Sequence, residues 1–125
     1  MLNESIIVEV NKARLNGYHT VLLSGSYEYL LNSIGKYLEF DSVIGTRIYF
    51  KEDKFDLSRE LEVASGESKL RRINEKFESI NWNESLAYAD SYSDIHILKA
   101  VGQPVAVNPD TKLKVIADEM KWRII

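Results

Sequence analysis

The chain has 125 residues, of which 45% are hydrophobic, a size and composition sufficient for one domain with a single packed core. Its formal net charge of −3 excludes a general nucleic-acid binder, which needs a face rich in lysine and arginine. The absence of cysteine excludes disulfides and thiolate metal sites and is typical of a reducing environment. No apolar run approaches the roughly 20 residues of a membrane helix, and the first residues lack the basic start of a signal peptide, so we expect a cytoplasmic protein.

The first part of the sequence alternates helical and extended patterns. Apolar residues recur at helical spacing over residues 3–16 and again over residues 27–38, which predicts two helices. Between them, residues 18–23 contain an uninterrupted apolar run, as buried parallel strands do, and a second strand is predicted at residues 42–45. We expect the Ser-Gly-Ser segment at residues 24–26 to end the first strand.

A segment of different character follows near residues 46–58. Two short runs rich in aromatic and aliphatic residues flank the polar link Lys-Glu-Asp-Lys at residues 51–54, a pattern typical of a surface β-hairpin. We expect this hairpin to be an excursion from the main sheet.

The alternation of helices and strands resumes after Gly66. A helix is predicted directly after this glycine, because apolar residues follow it at helical spacing. The remaining patterns predict strands at residues 86–89 and 105–107 and helices at residues 94–101 and 111–121. Strands that alternate with helices favour a mostly parallel α/β sheet with helices on both faces, and we expect residues 1–125 to form one domain.

Three polar features fall at the carboxyl ends of predicted strands or in the loops beside them. Ser24 and Gly25 could hold a phosphate with a hydroxyl and with free amides at the start of the next helix. Lys69 offers a compact positive charge to a phosphoryl group. Asp90 and Asp94 are two clustered carboxylates, the ligand type that Mg²⁺ prefers. Together these features predict a phosphate site with a metal ion.

Each feature also has a purely structural interpretation. A Ser-Gly-Ser turn before a helix is commonly an N-cap, and a single lysine on a helix is usually solvated. Asp90 could be a helix N-cap, and Asp94 could be an acidic residue in a first helical turn, where the helix dipole favours it. The order and spacing of the three features across a parallel sheet favour a joint site.

These residues resemble the motifs of the haloacid dehalogenase superfamily, in the branch similar to phosphoserine phosphatase. The apolar strand that ends at Ser24 resembles the second motif of that family, and Lys69 in its Gly-Glu-Ser-Lys segment resembles the third. Asp90 and Asp94, in Tyr-Ala-Asp-Ser-Tyr-Ser-Asp, resemble the acidic fourth motif. The tail Val-Ala-Val-Asn-Pro-Asp at residues 105–110 is also similar to this branch, so the resemblance spans most of residues 12–125.

The resemblance implies a three-layer, Rossmann-like fold and hydrolysis of a phosphomonoester with Mg²⁺. Ser24 would donate a hydrogen bond to a phosphoryl oxygen, helped by the amide of Gly25. Lys69 would offset negative charge on the phosphate and on the attacking carboxylate. Asp90 would be a Mg²⁺ ligand, directly or through water, with Asp94 supporting it. Such an arrangement stabilises the charge of a transferring phosphoryl group.

The sequence departs from the family at the nucleophile. Family members begin with a strand that ends in Asp-x-Asp-x-Thr, whose first aspartate attacks phosphorus, whereas no aspartate occurs here before Asp41. The helical cap is also missing, except for a last helix at residues 3–16. Losing a covalent nucleophile costs a factor on the order of 10⁴ to 10⁶ in turnover, so we expect the chain to be inactive alone. Because the carboxylates of the first motif are missing as well, we expect Asp90 to hold Mg²⁺ weakly.

The missing motif also removes a strand. In the family this strand is central, between the strands that correspond to residues 18–23 and 86–89, so its loss would expose two inner edges. We therefore expect a sheet without its central strand, in which either the two flanking strands close up or the gap is filled by a partner segment or by strand exchange in a homodimer.

Two hypotheses about function follow. The chain is the core of a phosphatase whose nucleophile lies elsewhere, or it is a non-catalytic module that binds a phosphorylated small molecule or a protein partner. Neither involves nucleic acid or a membrane.

Overall fold

A computed structural model describes residues 4–46, 50–51, 54–55 and 67–125. The chain divides into two compact units, and each is described by itself. The N-terminal unit comprises Ile7–Ser65, and the C-terminal unit comprises Met1–Ile6 with Gly66–Ile125. That residues 1–125 form one domain stays a prediction. None of the helices in the described ranges is long and apolar enough to cross a membrane.

The described chain begins with helix α1 (Glu4–Leu15), and the N-terminal unit continues with a strand–helix–strand arrangement. Strand β1 (Val21–Tyr27), helix α2 (Glu28–Tyr37) and strand β2 (Ser42–Thr46) follow one another along the chain. β1 and β2 pair in parallel, as the uninterrupted apolar run of β1 predicts for a buried strand.

The structure corrects the prediction that residues 24–26 end the first strand. β1 continues through them to Tyr27, and the pairing with β2 becomes irregular instead. Leu23 lies opposite Ile44, whereas Tyr27 lies opposite Thr46, so β1 contains extra residues relative to its partner. A bulge absorbs extra residues without ending a strand, and small residues such as serine and glycine suit it.

The hairpin prediction is confirmed by two short antiparallel strands. β3 (Phe50–Lys51) pairs with β4 (Lys54–Phe55), so that Phe50 lies opposite Phe55. Residues 47–49, 52–53 and 56–66, including Gly66 before the next helix, lie outside the described residues.

Within its described residues, the C-terminal unit contains three complete α-helices, two short 3-10 turns, the start of α1 and a three-stranded parallel sheet. Its elements are α3 (Glu67–Lys76), β5 (Leu86–Ala89), α4 (Ile95–Ala100), β6 (Gln103–Ala106), α5 (Thr111–Met120) and β7 (Arg123–Ile124). The strand order is β5-β6-β7, with both pairs parallel. The predicted parallel α/β architecture is confirmed, whereas the loss of a central strand stays a prediction.

Strand β7 is a feature that sequence patterns did not predict. α5 ends at Met120, and the left-handed backbone of its C-cap residue Lys121 (φ 58°) lets the amides of Lys121 and Trp122 bond back to the helix. The amide of Trp122 donates to the carbonyl of Ala117 at 2.9 Å, and the chain then turns into β7. A strand of two residues has too short a pattern to be recognised from sequence.

The core of the C-terminal unit lies between its sheet and its helices. Its buried members are Ile95 and Leu98 of α4, Ala106 of β6, and Leu113 and Ala117 of α5. Fully burying a leucine side chain stabilises a fold by about 1.5–3 kcal/mol, so this cluster fixes α4 and α5 against β5 and β6. The loops that leave β5 and β6 are therefore held between well-packed elements.

Candidate functional site

The loop that follows β5 carries the two predicted acidic residues. Asp90 comes directly after the strand and is exposed, and a short 3-10 turn follows at Tyr92–Asp94. Ser91, rather than Asp90, caps this turn, because its hydroxyl accepts a hydrogen bond from the amide of Ser93 at 3.2 Å. The capping interpretation of Asp90 is therefore wrong.

Lys69 and Asp94 form a mostly buried ion pair. The Lys69 Nζ lies 2.6 Å from the Asp94 Oδ1, and the two side chains are only 11% and 17% exposed. Lys69 lies in the first turn of α3, and α3 packs against α4 and the 3-10 turn. Asp94 occupies the N-cap position of α4, but its carboxylate makes no capping hydrogen bond there. This arrangement differs from the structural interpretation of Lys69 as a solvated surface residue, which is wrong.

A third carboxylate, Asp110, holds the acidic loop from the other side. Its Oδ2 accepts a hydrogen bond from the amide of Tyr92 at 3.0 Å, and its Oδ1 accepts one from the amide of Leu113 at 2.8 Å. These two bonds, that of Leu113 foremost, lower the pKa of Asp110 below its ordinary value. In the sequence Asp110 stands out only as part of the family-like tail, although an aspartate before a helical pattern is a recognised N-cap signal.

Backbone hydrogen bonds complete this support. The amide of Asp110 donates to the carbonyl of Asp90 at 2.9 Å, and the amide of Val107 donates to the carbonyl of Ala89 at 2.9 Å. Asn108 adopts a positive φ of 41° between them, and its amide donates to the carbonyl of Ile125. The loops after β5 and β6 are thus bonded to each other along their length.

Ser24 and Gly25 belong to the N-terminal unit. Both lie within β1, in the irregular stretch of its pairing with β2, and Ser24 is partly buried. α2 begins at Glu28, so the first free helical amides come several residues after Ser24. Their part in phosphate binding stays a prediction.

The geometry in the C-terminal unit places one fixed positive charge next to the acidic loop. It brings a cation, Lys69, beside the loop in which Asp90 is exposed, and Asp94 fixes the position of the ammonium group. A mostly buried charge held in one place stabilises an anion better than a mobile surface lysine, because little reorganisation is needed.

Comparison with known proteins decides the family. A family model for haloacid dehalogenase-like hydrolases matches residues 2–99. The chain belongs to the haloacid dehalogenase-like hydrolase family. Its similarity to phosphoserine phosphatases in sequence and structure places it in the phosphoserine phosphatase-like branch.

Two curated relatives and one solved structure illustrate this membership. The chain is 27% identical to a histidinol-phosphatase of Neisseria meningitidis, over 93% of the chain and 55% of that protein. It is 29% identical to a phosphoserine phosphatase of Methanocaldococcus jannaschii, over 87% of the chain and 53% of that protein. A structure of a Bordetella pertussis protein of unknown function has the same fold, with a TM-score of 0.85 at 22% identity, covering 99% of this chain and 58% of that one. The chain therefore spans about half the length of these relatives.

Members of the family generally use Mg²⁺. Within the described ranges, no group of three or more His, Asp or Glu side chains is arranged to hold a metal ion. The carboxylate of Asp94 is engaged by Lys69, which leaves Asp90 as the exposed carboxylate of this loop. Mg²⁺ in phosphoryl-transfer sites is usually held by one or two carboxylates, with substrate oxygens and water completing its shell. One exposed carboxylate is compatible with such a shell, and the role of Asp90 as a Mg²⁺ ligand, directly or through water, stays a prediction.

Proposed function

We propose that this chain supplies the phosphate-binding and charge-stabilising part of a Mg²⁺-dependent phosphomonoesterase. The observation that carries the proposal is the mostly buried Lys69–Asp94 pair, whose Asp94 lies in the loop that begins with Asp90 at the carboxyl end of a parallel strand, in a member of this family. Ligands of open α/β sheets bind at this end of the strands.

Each predicted residue has a role in this proposal. Lys69 offsets negative charge on the phosphoryl group and on the attacking carboxylate, while Asp94 holds the ammonium group in place. Asp90 binds Mg²⁺, which polarises the phosphoryl group when it is bound. Ser24 and the amide of Gly25 donate hydrogen bonds to a phosphoryl oxygen. Preorganised charges of this kind stabilise the transition state of phosphoryl transfer.

None of the residues with a role in this proposal is the attacking carboxylate. The sequence contains no Asp-x-Asp-x-Thr segment, and its first aspartate is Asp41. We propose that a separate segment or polypeptide supplies the nucleophile together with a strand. β5 is suited to receive one, because it is an edge strand in the order β5-β6-β7 of the described sheet. A second copy of this chain could supply a strand but not this motif.

The proposed substrate class is a phosphorylated small molecule. The two curated relatives are named for different phosphomonoesters, histidinol phosphate and phosphoserine, so their names support the class rather than one compound. The absence of cysteine supports a reducing, cytoplasmic environment for the reaction.

A second candidate function is a non-catalytic module that binds phosphorylated ligands or a protein partner. The observation that favours it is the same missing segment, because a chain with Lys69 and Asp90 but without a nucleophile can still bind phosphate. Without covalent catalysis, turnover would fall by a factor on the order of 10⁴ to 10⁶.

Binding and turnover should be measured together. Calorimetric titration with inorganic phosphate and Mg²⁺ tests the site, and hydrolysis of p-nitrophenyl phosphate tests catalysis. We expect Asp90→Asn and Lys69→Ala to lose the Mg²⁺-dependent phosphate binding. Asp118→Asn and Lys114→Ala remove the same charges from an exposed pair on α5 and should retain it.

Three results separate the hypotheses. Absence of Mg²⁺-dependent phosphate binding in the unmodified chain would reject the phosphatase part and the phosphate-binding form of the module, and would leave the form that binds a protein partner. Turnover that disappears in Asp90→Asn and Lys69→Ala would reject the non-catalytic module and require a nucleophile within this chain. Binding without turnover, with an in-frame or overlapping Asp-x-Asp-x-Thr segment in the upstream nucleotide sequence, would support a divided enzyme.

A further inference from the structure

Asp110 contacts two elements with the two oxygens of one carboxylate. Oδ1 accepts the amide of Leu113 and so caps α5, whereas Oδ2 accepts the amide of Tyr92, 18 residues earlier in the chain. An ordinary N-cap needs only the first of these bonds. The second bond fastens the loop of Asp90 and Asp94 to the start of α5.

Further contacts join the same two elements. The amide of Asp110 donates to the carbonyl of Asp90 at 2.9 Å. The Lys112 Nζ lies 3.9 Å from the centroid of the Tyr92 ring, a cation–π contact between α5 and the 3-10 turn. The Tyr92 ring also packs against the buried cluster of Leu98 and Leu113. The loop is thus held by its backbone and by the side chain of Tyr92.

We propose that Asp110 is a positioning residue that fixes the loop carrying Asp90 and Asp94, separately from its role as the N-cap of α5. Asp110 does not touch phosphate or metal in this proposal. It acts through Tyr92, which is two residues after Asp90 and two residues before Asp94 in the sequence. A loop that moves by about 1 Å loses much of its effect on a reacting group, so this bond matters for the site. The magnesium measurement below rests on the proposed function, whereas the exchange measurement does not.

The variant Asp110→Asn separates the two roles. Asparagine caps helices as well as aspartate does, so its single carbonyl oxygen can still accept the amide of Leu113. Its other terminal atom is an NH₂ donor and cannot accept the amide of Tyr92. We therefore expect the cap to survive and the fastening of the loop to fail.

Two variants of Tyr92 test the bond from its donor side without changing any charge. Tyr92→Pro removes the amide hydrogen, and Tyr92→Ala removes the ring but keeps that hydrogen. Proline is well tolerated at the first position of a helical turn, and Ser91 has the extended backbone (φ −123°, ψ 141°) that proline requires before it. The difference between these variants isolates the hydrogen bond to Asp110.

Amide hydrogen exchange, followed by NMR, is the first readout. In Asp110→Asn we expect the amide of Tyr92 to exchange about tenfold faster, because losing one hydrogen bond to a charged group changes the opening equilibrium by about that factor. The amide of Leu113 should exchange at its original rate. In Tyr92→Pro the amides of Ser93 and Asp94 should exchange faster than in Tyr92→Ala. Asp118→Asn, which removes a charge from the same helix, should leave all these rates unchanged.

Titration with Mg²⁺ alone is the second readout, and a cap of α5 would not affect it. We expect Asp110→Asn to bind Mg²⁺ about tenfold more weakly than the unmodified chain, and Tyr92→Pro to bind it more weakly than Tyr92→Ala. Unchanged exchange at Tyr92 in Asp110→Asn, together with equal exchange at Ser93 and Asp94 in Tyr92→Pro and Tyr92→Ala, would overturn the inference. Failure of the unmodified chain to bind Mg²⁺ would instead reject the proposed metal role, and the exchange rates would then decide the inference by themselves.

Discussion

Two ion pairs of this protein have the same length and the same sequence separation but opposite surroundings. Lys69 and Asp94 of the C-terminal unit are 25 residues apart and meet at 2.6 Å, as do Arg14 and Glu39 of the N-terminal unit. The side chains of the first pair are 11% and 17% exposed, and those of the second are 30% and 71% exposed. The distance between the charges therefore does not distinguish the two pairs, and their contact with water does.

The difference has a physical cause. Water solvates each partner of the exposed pair and screens their attraction, so forming or losing the contact changes the free energy little. The partners of the buried pair have given up most of their hydration, and each depends on the other for its stability. Burying the Lys69 ammonium group costs folding free energy, because it loses hydration. That cost is consistent with a role of Lys69 in binding an anion.

The largest expected effect is on the buried pair. Asp94→Ala leaves the Lys69 ammonium without its partner in a mostly buried position, so we expect the free energy of unfolding to fall by about 3 kcal/mol. Urea denaturation measures this change, with Asp118→Ala as a control that removes an exposed partner from Lys114. A loss below about 1 kcal/mol would place the two pairs in the same class and refute the comparison.

The next prediction concerns an exposed carboxylate that is stabilised by hydrogen bonds rather than by an ion pair. Asp41 Oδ2 accepts the amide of Thr20 at 2.8 Å and the hydroxyl of Thr20 at 3.1 Å, and these bonds lower the pKa of Asp41 below its ordinary 3.8. Because the folded pKa is the lower one, Asp41 stabilises the fold above pH 3.8, and this contribution disappears as the pH falls through the folded value.

Comparing the unmodified chain with Asp41→Asn tests this sign. Urea denaturation at a series of pH values between about 5 and 2.5 should give a stability difference that is largest at the higher pH and shrinks on acidification. A difference that grows as the pH falls would contradict the assignment.

The exposed long-range pair should contribute less. Glu39→Gln removes the charge that faces Arg14, and we expect the free energy of unfolding to fall by only about 0.5 kcal/mol. Added salt should reduce this difference further, because it screens exposed charges. If the free energy of unfolding fell as much as in Asp94→Ala, the nitrogen–oxygen distance, and not burial, would decide the strength of these ion pairs.

The smallest effect is expected for the pair within α5. Lys114 and Asp118 lie 3.4 Å apart, one helical turn from each other, with side chains 60% and 59% exposed. Lys114→Gln should reduce stability by about 0.3 kcal/mol or less, as for other pairs at this spacing. Thermal denaturation at low salt and in about 1 M NaCl should show no difference at the higher salt.

Local patterns predicted much of the fold. Hydrophobic spacing predicted α1 to α5 within a few residues, the parallel strands β1, β2, β5 and β6, and the hairpin of β3 and β4. Such patterns work because the side of a helix or strand that is buried recurs at a fixed period. Residues 24–26 were predicted wrongly as a strand end, because the pairing partner of a strand decides whether small residues break it or form a bulge.

Some features of the candidate site also follow from the sequence, whereas others follow only from the tertiary structure. The sequence by itself determined the family-like order of Ser24, Lys69, Asp90 and Asp94 and the absence of the nucleophile motif, because these depend only on residue type and spacing. Only the tertiary structure decided that Lys69 is buried against Asp94 and that Asp110 holds the loop between the two acidic residues. Both are contacts between elements distant in sequence, and strand register and helix packing, rather than local preference, determine which distant side chains meet.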